Sequence, residues 1–191
     1  MSLPSGEARE VLDFWFGTEG ATRDEWFRKD AAFDAVIRER FGALVERALA
    51  GELVDWGGAP ASALARVLLL DQFTRNAFRD SPRAFAGDAQ ALAAARAMVA
   101  AGHDMALPPV QRSFVYLPFE HAEDLAAQDE GVKLFAALAA ESPAQADYLD
   151  YARRHRDIVA RFARFPHRNA VLQRVSTPEE IEFLRQPGSS F

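Results

Sequence analysis

Val67-Leu68-Leu69-Leu70 is the stretch that most restricts what this chain can fold into. It lies in a run from about Pro60 to Phe78 with no strand alternation, and read as a helix it is apolar on every side. A helix apolar all round has to be central, covered by other helices. The chain supplies them. Phe33, Ile37, Phe41, Leu44 and Ala48 form one stripe of a helix from about Ala31 to Ala50, with Gly51 just past its end. A first helix reads from Gly6 to Phe16, capped by Ser5 and stopped at Gly17; Thr22 with Glu25 reads as a capping box before Trp26 and Phe27. Ser81-Pro82 starts an alanine-rich helical segment that runs to Gly102. Pro108-Pro109 opens another helix, in which Pro118 predicts a kink or break between Tyr116 and Phe119. A helix from about Glu130 to Ala140 follows. Ser142, Pro143 and Gln145 then read as cap, first-turn proline and capping-box partner of a long helix to about Ala163, ended by Phe165-Pro166. Thr177, Pro178 and Glu180 repeat that start signal for a last short helix to Arg185, and residues 187–191 read as a loose tail. The expectation is an all-α fold of about eight helices, a helix-pair stack or irregular bundle, forming a single domain over residues 1–191.

Composition removes several functional classes. There is no cysteine, which excludes disulfides, thiolate metal sites and a cysteine nucleophile. No apolar run approaches the roughly 20 residues needed to span a bilayer, and residues 1–10 carry acids without an apolar core, so no membrane partner and a cytoplasmic location are expected. A net charge of −6 argues against a general nucleic-acid binder. The charge is uneven: residues 150–174 hold seven arginines and two acids, +5, against −11 elsewhere. Such a segment either pairs with its own chain or attracts a small anion.

Three polar clusters interrupt core-like helix. Asp71, Gln72, Thr74, Arg75 and Asn76 sit at the end of the apolar helix, with Asp71–Arg75 and Gln72–Asn76 each at i, i+4. Tyr116, Glu120, His121, Glu123 and Asp124 surround Pro118. Arg161, Arg164, His167, Arg168 and Asn169 crowd the end of the long helix. His155 lies on the same helical face as Tyr148, Tyr151, Ala152, Ile158, Val159 and Phe162, so it points toward the core, and His121 does likewise. A histidine bonded to a buried carboxylate and a catalytic histidine both fit, with His121, His155 and Glu123 the catalytic candidates. A paired-metal site is not expected, because no acid stands three residues before either histidine, as such helical bundles require; a one-metal site is the minor alternative, and the expectation is no metal. No HExxH, Walker, GxGxxG or GxSxG motif occurs, and no cofactor is expected. Arg161, Arg164 and Arg168 read either as ion pairs with Asp71, Glu123 or Asp124, or as bidentate anchors for a carboxylate or phosphate ligand. Arginine and phenylalanine stacking on RNA is a third reading, opposed by the acidic body.

Four motifs in order resemble a known family. Leu70-Asp71-Gln72-Phe73-x-Arg75-Asn76, Tyr116-Leu117-Pro118-Phe119-x-His121-x-Glu123-Asp124, Arg161-Phe162-x-Arg164-Phe165-Pro166-His167-Arg168-Asn169 and Ser176-Thr177-Pro178-Glu179-Glu180 are similar to the bacterial domain-of-unknown-function family numbered 924. The likeness extends from Val11-Leu12-Asp13-Phe14-Trp15 to Phe183-Leu184. It implies an all-helical, tetratricopeptide-like fold and no established activity. Thr74, Glu120, Ala122 and Gln173 depart from the family pattern, which makes Glu120 a weak candidate for shared chemistry. Two functional expectations follow. One is a small anionic ligand held by Asp71, Arg75, Asn76, Tyr116, Asp124, Arg161, Arg164, His167, Arg168 and Asn169, with a histidine moving a proton. The other is a peptide- or protein-binding scaffold in which these clusters are structural.

Overall fold

The computed structural model describes residues 6–17, 23–26 and 28–190. The Ser5 cap, Thr22 and Phe27 therefore lie outside the described residues. Nine α-helical segments are present among them: α1 (Gly6–Phe16), α2 (Ala31–Leu49), α3 (Pro60–Leu68), α4 (Thr74–Ala77), α5 (Asp88–Ala100), α6 (Pro109–His121), α7 (Leu125–Glu141), α8 (Ala146–Phe162) and α9 (Pro178–Leu184). No β-strand occurs among the described residues, and the fold is all-α. A π turn, Leu69–Phe73, joins α3 to α4, so the two form one rod. No helix among the described residues is long and apolar enough to cross a membrane.

That rod is the centre. Val67, Leu68, Leu69, Leu70 and Phe73 have no solvent exposure, and α1, α2, α5 and α6 pack around the rod. Aromatic rings fill the space between: Phe73 lies 5.2 Å from both Trp15 and Phe41, and Phe114 of α6 lies 5.8 Å from Trp15. Each such side chain, once fully buried, contributes about 1.5–3 kcal/mol. Helices α7 and α8 stack onto α6. Gly131 allows α7 its close approach, since a Cβ there would sit 2.9 Å from that of Phe119. A second, smaller apolar cluster of Ile158, Val159 and Phe165, with Phe162 and Phe183, seats the C-terminal segment and α9.

Several element ends differ from expectation. Helix α6 runs unbroken through Pro118 to His121. Pro118 stands three residues from the end, and buried Tyr116, Leu117 and Phe119 around it offset the lost hydrogen bond. Helix α7 begins at Leu125 rather than near Glu130, because Asp124 caps it by accepting from Ala126 N–H. Ser142 makes no side-chain cap; Pro143–Gln145 form a 3-10 turn, and Gln145 Oε1 accepts from Ser113 instead. Helix α8 stops at Phe162 because Ala163 turns left-handed (φ 56°), before Phe165-Pro166 is reached. The Thr177–Glu180 capping box of α9 forms as read. Ser189, in the expected tail, is buried and donates to the Leu184 carbonyl.

Candidate functional site

The π turn places the first functional group. Widening the helix by one residue per turn leaves carbonyls without their usual helical donors, and these need other partners. Thr74 Oγ1 donates to the carbonyls of Leu70 (2.9 Å) and Asp71 (3.2 Å), and Arg75 Nη1 donates to that of Asp71 (2.6 Å). The Asp71 carboxylate is fully buried, beside Arg75 Nη1 at 3.1 Å and bonded by Gln72 Nε2.

Gly87 brings the next group against that turn. A Cβ at Gly87 would lie 2.1 Å from the Leu70 carbonyl oxygen, so only glycine lets the start of α5 rest on the π turn. The next residue, Asp88, accepts two hydrogen bonds from Arg75, at 2.9 and 3.2 Å. Arg168 reaches the same carboxylate through Nη1 (3.1 Å) and donates Nη2 to the His121 carbonyl (3.0 Å). Its guanidinium lies between the rings of Phe85 (4.6 Å) and Phe165 (4.5 Å). Burial, and then the charge of Arg75, lower its pKa to about 10, so it stays charged at neutral pH.

His121 is the last residue of α6. Its Nδ1 is 2.7 Å from Asp71 Oδ1. Burial raises the Asp71 pKa, but the Arg75 charge and the bonds from His121 and Gln72 outweigh it, and the carboxyl is held well below its ordinary range. For His121, burial and the nearby Arg75 outweigh the attraction of Asp71 and hold the imidazole neutral. The ionised Asp71 fixes the tautomer: Nδ1–H donates, and Nε2 keeps its lone pair. Nε2 has no hydrogen-bond partner among the described residues, and the His121 side chain keeps 15% of its surface exposed. His121 lines a cleft of about 470 Å³ together with Pro82, Phe85, Ala86, Asp88, Ala89, Leu92, Ala122, Glu123, Asp124, Arg168 and Leu172.

Behind His121 lies a second pair. The rings of His121 and His155 are 6.2 Å apart, so the two core-facing histidines do meet. His155 Nδ1 lies 2.9 Å from the Tyr151 carbonyl and 3.1 Å from Glu120 Oε1. Burial, and the neighbouring Asp71 charge, push the Glu120 pKa well up, so this carboxyl is neutral. Burial lowers His155 to about 3. Glu120 Oε2 is buried without a hydrogen-bond partner among the described residues.

The C-terminal cluster closes on itself. Arg164 pairs with Glu180 through two bonds (2.6 and 2.7 Å), and Glu180 also accepts from Thr177 N–H and Asn169. Asn169 accepts from Arg174, whose guanidinium grips both oxygens of Glu123 at 2.6 and 2.9 Å. Glu123 further accepts the Phe165 N–H at 2.8 Å. Arg161 pairs with Glu179 at the surface. The expected partners Asp71, Glu123 and Asp124 are thus replaced by Glu179, Glu180 and Asp88 for Arg161, Arg164 and Arg168 respectively. His167 packs 5.6 Å from Phe165, and burial, with Arg168 nearby, lowers it to about 4.

Of the residues singled out in the sequence, Asp71, Arg75, His121, Glu123, Asp124 and Arg168 converge at or directly behind the cleft. Arg164 and Asn169 belong to the C-terminal network. Tyr116 donates to buried Asp104 (2.7 Å), and Asn76 donates to Asp34 on α2 (2.8 Å); neither lines the cleft. Asp88, Arg174 and Phe85 were not singled out. The one signal for Asp88 was an acid directly after glycine at the start of a helix, a pattern shared with ordinary first-turn acids.

The chain matches the family described as "Bacterial protein of unknown function (DUF924)" over residues 11–188. It is similar to the solved structure of a protein of unknown function, ATU0120 from Agrobacterium tumefaciens, at 43% identity and a TM-score of 0.85, covering 95% of this chain and 98% of that one. No curated protein matches it.

Proposed function

The chain belongs to the DUF924 family of bacterial proteins, and from that premise and the site geometry we propose that it binds a small molecule in the His121 cleft and that His121 moves a proton there. One observation carries the reading: a neutral imidazole, oriented by a buried ionised carboxylate, belongs to the lining of a cleft of ligand size and has its second nitrogen unbonded among the described residues. The arrangement supplies a general base at neutral pH, and a general acid once the proton has been taken up. Among the described residues no serine or threonine lines the cleft, so His121 acts on bound water or on the ligand itself. The anion-holding role expected of the arginines draws little support. Arg168 spends both terminal nitrogens inside the protein, and Arg164 is closed onto Glu180.

Modification with diethyl pyrocarbonate, mapped by mass spectrometry, tests the site together with a thermal-shift metabolite screen of wild type and His121→Ala. His121 should react at pH 7, and hits should raise the wild-type Tm, lose that effect in the variant and protect His121 from modification. An unreactive His121, or hits indifferent to the variant, removes the proposal. The scaffold reading lacks a continuous apolar face: large exposed apolar side chains run from Val36 on α2 to Ile181 on α9, no two on one element among the described residues.

A further inference from the structure

Resting on that reading of His121, we infer that the cleft takes an uncharged molecule with an apolar face and a hydroxyl or amide hydrogen, not an anion or an amine. The charged groups of the wall already answer one another. Asp88 receives Arg75 and Arg168, and both oxygens of Glu123 receive Arg174. Arg168 is held between Phe85 and Phe165, and its remaining nitrogen, Nε, is buried out of reach of solvent. A carboxylate or phosphate entering here loses its hydration, and a bidentate grip by Arg168 competes with the bonds Nη1 and Nη2 already make to Asp88 and the His121 carbonyl, while Nε is buried. A cation fares little better. Asp124 sits half-exposed at the rim, with one oxygen capping α7 at 3.1 Å, so its attraction works through water and is screened.

The other half of the cleft is apolar. Phe85, Leu92 and Leu172 face it, and the ring of Phe85 is already fixed over Arg168. An apolar group laid there gains by leaving water. The polar end is set by the tautomer. Asp71 holds the proton of His121 on Nδ1, so Nε2 accepts, and the ligand meets it with an O–H or N–H. A hydroxyl donates to the neutral imidazole; a carboxylate presents only lone pairs to it, and an ammonium leaves its charge without a buried partner.

A matched triad of benzyl alcohol, benzoate and benzylamine tests this, titrated at pH 7 and read from the His121 imidazole and the Leu92 and Leu172 methyl resonances. Benzyl alcohol should shift all three and bind at least tenfold more tightly than either charged analogue, with the His121 shift abolished in Asp71→Asn. Equal or tighter binding of benzoate or benzylamine overturns the assignment. If no probe perturbs His121 while diethyl pyrocarbonate still modifies it, the ligand class is wrong and the cleft reading stands; if His121 is also unreactive, both fall.

Discussion

At the scale of single residues, the decisive relation is that Asp71 is charged while His121 is not. Removing the charge of Asp71 withdraws the one strong attraction favouring imidazolium. Asp71→Asn should therefore lower the His121 pKa further, measured by NMR titration of the imidazole. Arg168 is the other exacting position. Lysine carries the charge but cannot bond Asp88 and the His121 carbonyl together while stacking between two rings. Arg168→Lys should cost about 2 kcal/mol in urea unfolding, the order of one desolvated cation–π contact. The sequence made the polar residues conspicuous because charge is rare on core-facing helix. Their pairing stayed hidden. Arginine looks the same in sequence whether it holds a ligand or a carboxylate, and Asp88, which takes two of them, looks like any first-turn acid. Glu120 departs from the family pattern, yet burial and the neighbouring Asp71 charge push its carboxyl well up, and it sits 3.1 Å from His155.

At the scale of elements, periodicity and capping chemistry located the helices, because each rests on interactions within a few residues. The α2 stripe, Gly51 in the left-handed region (φ 79°) and the α9 capping box are cases in which local chemistry decides. The π turn was invisible to that reasoning. An extra residue leaves the apolar pattern of the rod intact, and what sustains it is the satisfaction of its carbonyls by Thr74 and Arg75. Thr74→Val keeps the shape and removes the hydroxyl, and should lower stability by about 1 kcal/mol per net hydrogen bond lost. Gly87→Ala drives a methyl into the Leu70 carbonyl and should cost about 1–3 kcal/mol or more, as overpacking does. Because α5 must then lift away from the turn, the same variant should loosen the Asp88–Arg75 pair and shift the His121 resonances. A purely local clash would leave those resonances in place.

At the scale of the molecule, the buried titratable groups give the protein an acid limb and an alkaline limb of stability. His155 and His167 have pKa values of about 3 and 4 in the fold, below their ordinary 6.5. Between those values the unfolded chain binds protons that the folded chain refuses, so stability is full above about pH 6.5 and is lost as pH falls toward 3. Chemical denaturation should show the midpoint dropping from about pH 6.5 downward, before most carboxylates begin to titrate. Glu120 works in the opposite sense. Its folded pKa is raised above 4.5, so the fold keeps a proton the unfolded chain releases, and stability declines as pH rises through that window. Glu120→Gln should therefore be more stable than wild type at pH 8, with the advantage vanishing near pH 4.

The Arg168 clamp also bears on time. Its bond to Asp88 joins residues 80 positions apart, and the Asp71–His121 bond joins residues 50 apart. Most helix contacts can form while the chain is still closing only short loops; these cannot, and each must wait for its long segment to be brought round. The expectation is a site assembled late, after the transition state. Weakening the clamp should accelerate unfolding while leaving the refolding rate nearly unchanged, a split that stopped-flow measurements on Arg168→Lys would resolve. During synthesis the cleft stays unfinished until Arg168 and Leu172 have emerged, so a nascent chain halted before Arg168 carries the His121–Asp71 dyad without the residue that holds it in place.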